Sequence, residues 1–248
     1  MSWRGVIFDL DGTLYRGSEP IPRAAHVVQT LRDRGVPMRC LTNNSSATPE
    51  SVAAKLAHMG FEFAPAEIAT SGTVTADALA AAGVERVFVV GEAGLVEVLA
   101  RQGIVSCEPG DAQVVVAGIC RQFSYDWLDR ALQAVRGGAE LIATNRDTTF
   151  PLEGGRLAPG AGAIVAALEA CTGCTARAYG KPDPAGVLAL CADMGLAPND
   201  VLCVGDRLDT DIAAGEAAGC PTFLVTTGVT PALPVGVPGG RLEDLVER

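Results

Sequence analysis

The chain has 248 residues, 48% of them hydrophobic, which is enough apolar material for one large α/β domain or two smaller ones. Its formal net charge of −10 and pI near 4.7 argue against nucleic acid and anionic membranes as partners, because both bind basic protein surfaces. An anionic substrate would therefore need a local positive site.

The sequence also bears on where the protein works. It has no apolar run long enough to span a membrane, and its first residues, MSWRGVIFDLDG, lack the apolar stretch of a secretion signal. Its eight cysteines are scattered and lie mostly in apolar runs, which is typical of reduced, buried thiols. We expect a cytoplasmic protein without membrane contact.

Short β-branched runs alternate with helical stretches along the chain. Strands are predicted at residues 5–9, 38–43, 87–91, 114–118, 141–145, 201–206 and 222–227. Helices with clear start and stop residues are predicted at 22–35, 48–60 and 183–195. Several strands are apolar throughout, as in parallel strands covered on both faces. The alternation predicts an α/β fold with an open, mostly parallel sheet, and residues 82–174 contain enough elements for a second, inserted domain.

Open α/β sheets bind ligands at the carboxyl ends of their strands, and four segments place polar side chains there, three of them after predicted strands and one after the run ARAY at residues 176–179. They are Asp9 with Asp11, Thr42 with Asn43, Lys181, and Asp206 with Asp211. Buried carboxylates repel one another unless something compensates their charge. Mg²⁺ takes hard oxygen ligands and keeps room for a phosphate, so this set indicates a Mg²⁺ site, and Mn²⁺ would fit the same ligands.

Lysine usage supports a role for Lys181. The chain has seventeen arginines and only two lysines, Lys55 and Lys181. Where a cation merely has to be present this chain uses arginine, so a compact ammonium at 181 indicates function. We interpret Lys55 as part of a solvated helix face.

The segments FDLDGTL, LTNN, GKP and GDRLDTD resemble, in that order, the four motifs of the haloacid dehalogenase (HAD) superfamily. The long insert between the second and third segments resembles the large α/β cap of the NagD-like, p-nitrophenylphosphatase subfamily. The resemblance implies a Rossmann-like core of residues 1–81 and 175–248, with a cap of residues 82–174 that selects the substrate. It also makes a homodimer through the cap plausible.

The same resemblance implies roles for the first and last motifs. Asp9 would attack phosphorus and form an aspartyl-phosphate, and Asp11 would protonate the leaving oxygen and then accept a proton from water. Mg²⁺ would be held by Asp9, Asp206 and the backbone carbonyl of Asp11.

Other residues would bind phosphate or support the site. Thr42 Oγ and the backbone N–H of Asn43 would bind phosphoryl oxygens, and Lys181 would bring a positive charge to them. Thr13 would hydrogen-bond near Asp9, and Asp211 would orient Lys181 or a metal-bound water.

Three cap residues could contact the rest of the substrate. Asn145, Arg146 and Asp147 end a predicted strand, and they could either reach the substrate or fix the loop 146–160 internally. Arg146 would favour an acidic or polyol leaving group, whereas Phe150 and Pro151 would favour a flatter one, so the sequence does not choose between them.

The expected function is Mg²⁺-dependent hydrolysis of a small phosphomonoester. By resemblance, candidate substrates are glycerol 3-phosphate, phosphoglycolate, pyridoxal phosphate, sugar phosphates and nucleoside monophosphates. A phosphotransferase or mutase would use the same motifs and stays open. A silent phosphate-binding protein would be expected to lack at least one of the core aspartates or Lys181, and all are present.

Overall fold

A six-stranded sheet, here called the first sheet, is built from both ends of the chain. The structure, a computed structural model, describes residues 3–152 and 156–247. From one edge to the other, the strands are Gly239–Gly240, Thr222–Val225, Val201–Gly205, Gly5–Phe8, Met38–Thr42 and Ile68–Thr70. Every neighbouring pair is parallel, so the carboxyl ends of these strands lie along one edge of the sheet.

A second parallel sheet is formed by the middle of the chain. Its strands, in spatial order, are Arg177–Ala178, Glu140–Ala143, Val114–Ala117, Arg86–Val90 and Val105–Ser106. Two short antiparallel pairs join Tyr15–Arg16 to Glu19–Pro20 and Thr149–Pro151 to Leu157–Pro159. The seven predicted strands are confirmed, with ends that differ by at most two residues.

Helices cover both faces of each sheet. The α-helices are Ala24–Asp33, Pro49–His58, Ser71–Ala81, Ala93–Arg101, Tyr125–Arg136, Ala161–Thr172, Ala185–Asp193 and Ala213–Ala218. Short 3₁₀ turns lie at Pro65–Glu67, Pro109–Asp111, Pro198–Asp200 and Leu242–Leu245, and a π-helical turn lies at Leu208–Ile212. The three predicted helices are confirmed, and Thr48 caps the second of them by accepting the N–H of Ser51 at 3.3 Å.

Burial explains why the strands are apolar throughout. Val6 and Phe8 pack into the hydrophobic cluster on one face of the first sheet, while Ile7 packs into the cluster on the other. The second sheet repeats the pattern, with Val115 on one face and Val116 on the other. These packed layers confirm the predicted Rossmann-like α/β class.

One helix packs against both sheets, and one strand of the second sheet comes from residues that the predicted division assigns to the core. Within Ser71–Ala81, Val74 packs against the first sheet and Leu79 against the second. Strand Arg177–Ala178 pairs with Glu140–Ala143 of the second sheet, although the predicted division places it in the core. The division into core and cap stays a prediction, and this pairing favours a boundary after residue 178.

Two sequence expectations concern the whole chain. Across residues 3–152 and 156–247, none of the helices has the length and apolar character that crossing a bilayer requires. All eight cysteines are free thiols, five of them buried.

Candidate active site

Asp9 lies immediately after the central strand Gly5–Phe8. Its backbone N–H donates to the carbonyl of Val204 at 2.8 Å, which fixes it at the carboxyl end of the first sheet. The residue is 8% exposed, and its carboxylate accepts Thr13 Oγ1 at 3.0 Å and Lys181 Nζ at 2.7 Å. Burial, and then the charge of Asp211, raise the pKa of Asp9 well above its usual range, against the opposing effect of Lys181.

Lys181 uses all three of its ammonium protons. Its Nζ donates to Asp9 Oδ1 at 2.7 Å, to Asp211 Oδ1 at 2.6 Å and to the carbonyl of Leu41 at 2.8 Å, and the residue is 5% exposed. Burial alone would lower the pKa of Lys181, but the charges of Asp211 and Asp9 outweigh it and hold the pKa above its ordinary value. The ammonium is therefore charged and fixed in place.

Asp206 and Asp211 lie next to Asp9, and each of the three offers a carboxylate oxygen within 4.8 Å of the others. Asp206 follows strand Val201–Gly205, and Asp211 lies in the π-helical turn. Asp211 Oδ2 accepts the N–H groups of Asp206 and Arg207 at 3.1 and 3.0 Å, which folds this loop around it. Burial, and then the charge of Asp211, raise the pKa of Asp206 to about 7.

The backbone approaches Asp206 so closely that only glycine fits. A Cβ at Gly228 or Gly12 would collide with the Asp206 carboxylate, and Gly12 also has a φ of +93°. Gly12, in the segment FDLDGTL, is therefore required for two reasons: the turn after Asp11 and the close approach to Asp206.

Thr42 and Asn43 end the neighbouring strand, Met38–Thr42. Thr42 is buried, and its Oγ1 accepts the N–H of Asn44 at 3.1 Å, which leaves its proton available to a ligand. The Asn43 side chain donates to Asp147 Oδ2 at 3.1 Å and to the carbonyl of Lys181 at 3.0 Å. Asn43 thus joins three segments that are far apart in sequence.

The three predicted cap residues behave differently from one another. Asn145 is buried, and its side chain donates to the carbonyl of Asn43 at 2.7 Å and accepts the N–H of Asp147 at 3.1 Å. Burial raises the pKa of Asp147. Arg146 turns away and pairs with Glu169 at 2.6 Å, so the structure does not bring it to the site.

One cavity of about 330 Å³ connects these groups. Among the predicted site residues, it is lined by Asp9, Asp11, Thr42, Asn43, Asn145, Asp147, Lys181, Asp206 and Asp211. Thr13 donates to Asp9 but does not itself line the cavity, and Arg146 pairs with Glu169 away from the cavity. Phe150 also lines the cavity, while the side chain of Pro151 lies outside the described part of the chain.

Comparison with known proteins gives the family. Residues 6–105 match the family model of haloacid dehalogenase-like hydrolases, and residues 178–239 match the HAD-hydrolase-like model. The 5'-nucleotidase YutF of Bacillus subtilis (strain 168) is 38% identical over 92% of this chain and 89% of its own. The chain belongs to the haloacid dehalogenase-like hydrolases.

Solved structures identify the subfamily to which the chain belongs. The p-nitrophenyl phosphatase from Archaeoglobus fulgidus is 32% identical, with a TM-score of 0.90 over 100% of this chain and 99% of that one. NagD from E. coli K-12 is 32% identical, with a TM-score of 0.87 over 97% and 96% of the two chains. Both likenesses run through the two sheets, and the chain is a NagD-like HAD phosphatase.

The carboxylates of this NagD-like phosphatase fit a divalent cation. Asp9, Asp206 and Asp211 each offer an oxygen within 4.8 Å of the others, and all three are buried. Lys181 compensates one of their three charges, so two remain for a bound ion. The carboxylate of Asp211 accepts from Lys181 and from two loop N–H groups, that of Asp9 accepts from Lys181 and Thr13, and that of Asp206 accepts from the N–H of Val229 alone among the described residues. Asp206, and then Asp9, are therefore the freer ligands. Hard oxygens suit Mg²⁺.

Among the residues that sequence reasoning missed, Tyr15 and Lys55 lie beside the predicted general acid, Asp11. Tyr15 donates its hydroxyl to Asp11 Oδ2 at 3.0 Å, and burial raises the pKa of Tyr15 well above its usual range, so it keeps that proton. Lys55 lines the cavity, with its ammonium 3.9 Å from the centroid of the Tyr15 ring. The scarcity of lysine in the chain could have indicated a functional role for Lys55 as well, but we applied that argument to Lys181 alone.

Proposed function

We propose that this NagD-like phosphatase hydrolyses small phosphomonoesters through an aspartyl-phosphate on Asp9, with Mg²⁺ as its metal. The observation that carries the proposal is the arrangement around Asp9. Its carboxylate is buried and accepts hydrogen bonds from Lys181 and Thr13. It lines the cavity, and one of its oxygens lies within 4.8 Å of an Asp206 oxygen, so the two could bind the same metal ion. A carboxylate in this setting is fixed for attack and shielded from bulk water.

The reaction divides into two displacements. Asp9 attacks phosphorus, the bond between phosphorus and the ester oxygen breaks, and Asp11 gives its proton to the leaving alcohol. Water then attacks the phosphorus of the aspartyl-phosphate while Asp11 takes a proton from it, which releases inorganic phosphate and restores Asp9. Burial raises the pKa of Asp11, and this favours the protonated form that the first step requires.

The surrounding residues bind and orient the phosphoryl group. Mg²⁺ held by Asp9, Asp206 and the carbonyl of Asp11 would neutralise charge on the phosphoryl oxygens. Thr42 Oγ1 and the backbone N–H of Asn43 donate to those oxygens, and the Lys181 ammonium stabilises their charge. Asp211 acts through Lys181, which it holds at 2.6 Å.

The cavity limits the substrate to small molecules. Its volume of about 330 Å³ suits a metabolite and excludes a folded phosphoprotein. Asp147 and Asn145 form part of its wall, and Asn145 holds this part of the cap on the loop of Asn43. The names of two relatives imply quite different leaving groups, a nucleoside and a nitrophenol. Family membership alone therefore does not identify the alcohol of the substrate. The homodimer through the cap stays a prediction.

The test is phosphate release from a panel of small phosphomonoesters, with Mg²⁺ and with EDTA. We expect turnover that EDTA abolishes and that returns with added Mg²⁺. In ¹⁸O-labelled water, hydrolysis puts the label into the released phosphate, whereas a phosphotransferase leaves it unlabelled. A folded protein that binds Mg²⁺ and releases phosphate from no ester on the panel would contradict the proposal.

Metal binding should also depend on pH through Asp206. Its pKa is about 7 in the folded protein against an ordinary 3.8, so between these values the folded state holds a proton that the unfolded chain has lost. The stability of the metal-free protein therefore falls as the pH rises through this window. At any pH below the folded-state pKa of about 7 the proton competes with the metal, and above it the carboxylate is free.

We accordingly expect saturating Mg²⁺ to raise the Tm more at about pH 8 than at about pH 5, measured by differential scanning calorimetry. Asp206→Asn should remove most of the difference between the two pH values. Equal shifts at both would contradict the assignment of Asp206 as a ligand.

A further inference from the structure

Lys55 lies at the cavity, and the proposed reaction does not use it. It belongs to helix Pro49–His58, its side chain is exposed, and its ammonium lies 3.9 Å from the centroid of the Tyr15 ring. Within residues 3–152 and 156–247, no carboxylate lies within the 4.0 Å ion-pair distance of this ammonium. Lys55 therefore forms no ion pair in the described part of the chain, and its positive charge acts from beyond that distance on Asp11, whose pKa it lowers against the effect of burial.

Three further cations line the same cavity, and each has a carboxylate partner. The pairs are Lys181 with Asp9 and Asp211 at 2.7 and 2.6 Å, Arg207 with Asp209 at 2.9 Å, and Arg121 with Glu92 at 3.6 Å. Of the cavity cations in the described part of the chain, Lys55 is thus the one without a carboxylate partner.

The position of Lys55 indicates which part of the ligand it meets. Tyr15 donates to Asp11 at 3.0 Å, and Lys55 stands over the same Tyr15 ring. In the proposed mechanism Asp11 protonates the leaving oxygen, so the alcohol lies on the Asp11 side of phosphorus. Lys181, in contrast, contacts Asp9. Lys181 thus lies at the Asp9 end of the site and Lys55 at the Asp11 end, where the leaving alcohol would lie.

We propose that Lys55 binds an anionic group on the leaving alcohol, so that the preferred substrates are phosphomonoesters whose alcohol carries a carboxylate or a second phosphate. The inference rests on the proposed function. Composition supports it independently, since both lysines of a chain with seventeen arginines line this one cavity. An ammonium on a flexible stem can follow an anionic group whose position varies with the length of the alcohol.

The test compares three phosphate esters with the same two-carbon skeleton. 2-Phosphoglycolate and ethylene glycol bisphosphate carry an anionic group on the alcohol and are called the anionic esters, and 2-hydroxyethyl phosphate, whose alcohol is uncharged, is called the neutral ester. Values of kcat and KM are measured for the wild type, Lys55→Met and Lys55→Arg in the presence of Mg²⁺. Arg177→Met is the matched control, because Arg177 also stands over a tyrosine ring, Tyr179 at 4.7 Å, but does not line the cavity.

We expect the wild type to prefer an anionic ester, and its ranking of carboxylate against second phosphate identifies the group. Lys55→Met should raise KM for that ester roughly 10- to 100-fold, the range for a hydrogen bond to a charged partner, with kcat nearly unchanged. The neutral ester should be unaffected, Lys55→Arg should recover part of the affinity, and Arg177→Met should behave as the wild type.

Two outcomes would overturn the inference while the phosphatase proposal stands. One is equal kcat/KM of the wild type for the anionic and neutral esters. The other is a loss of kcat in Lys55→Met that is the same for all three, since Lys55 would then act through Asp11 and not on the alcohol. If the wild type hydrolyses none of these or other small esters, the proposed function fails and the inference fails with it.

Discussion

Asp9→Asn is expected to abolish phosphate release, with kcat lower by about 10⁴-fold or more, because the amide cannot form the aspartyl-phosphate. The variant should fold. Burial and the neighbouring charges raise the pKa of Asp9 well above its usual range, so the ionised carboxylate is unfavourable there without metal. We therefore expect the metal-free Asn variant to have a Tm at or above that of the wild type near neutral pH.

The measurements are single-turnover phosphate release and the Tm with and without Mg²⁺. Asp209→Asn is the matched control, because Asp209 lies on the same loop as Asp206 but its side chain is 70% exposed and forms an ion pair with Arg207. It removes a negative charge at the surface and should retain activity. Wild-type turnover in Asp9→Asn would mean that another group is the nucleophile.

The sequence predicted the fold well because the two sheets are buried on both faces. Strands such as Gly5–Phe8 and Val114–Ala117 have apolar side chains toward each face, and their β-branched runs are visible without tertiary information. Strand Gly239–Gly240 was missed because glycine has little strand propensity. Its pairing with Thr222–Val225 at the edge of the first sheet comes from tertiary contact.

The core of the site was predictable because parallel strands bring their carboxyl ends to one edge. Asp9, Thr42 and Asp206 follow adjacent strands, so the sheet order alone brings them together. The fate of Arg146 was not predictable in this way. It follows a strand of the second sheet, but Glu169 on the next helix, Ala161–Thr172, binds its guanidinium and holds it away from the cavity.

The contact between Tyr15 and Lys55 was unpredictable for a similar reason. The two residues are forty positions apart, and nothing in the helical pattern of Pro49–His58 shows that its exposed lysine faces the strand Tyr15–Arg16. A helix period places a side chain on a face, and only the packing of that helix against the sheet shows what the face meets.

Lys181→Met should have the second large effect, on both activity and stability. The substitution leaves Asp9, Asp211 and the carbonyl of Leu41 without their common donor, in a position that is 5% exposed. Breaking a buried pair in this way costs about 3–5 kcal/mol of unfolding free energy. Loss of the charge that stabilises the phosphoryl oxygens should lower kcat by about 10²- to 10³-fold.

The pH dependence and a conservative variant separate these two effects. Without the ammonium the pKa values of Asp9 and Asp206 should rise further above 3.8, so the folded variant binds more protons than the unfolded chain, and its stability deficit should shrink as the pH falls. Lys181→Arg keeps the charge, but the guanidinium is larger and its fork does not match three acceptors around one nitrogen, so it should restore stability in part and activity less. Arg4→Met, which removes an ion pair at 3.7 Å from a side chain that is 72% exposed, is the control and should change the unfolding free energy by less than about 1 kcal/mol. A Lys181→Met variant with wild-type kcat would show that the ammonium holds the fold of the site and takes no part in stabilising the transferred phosphoryl group.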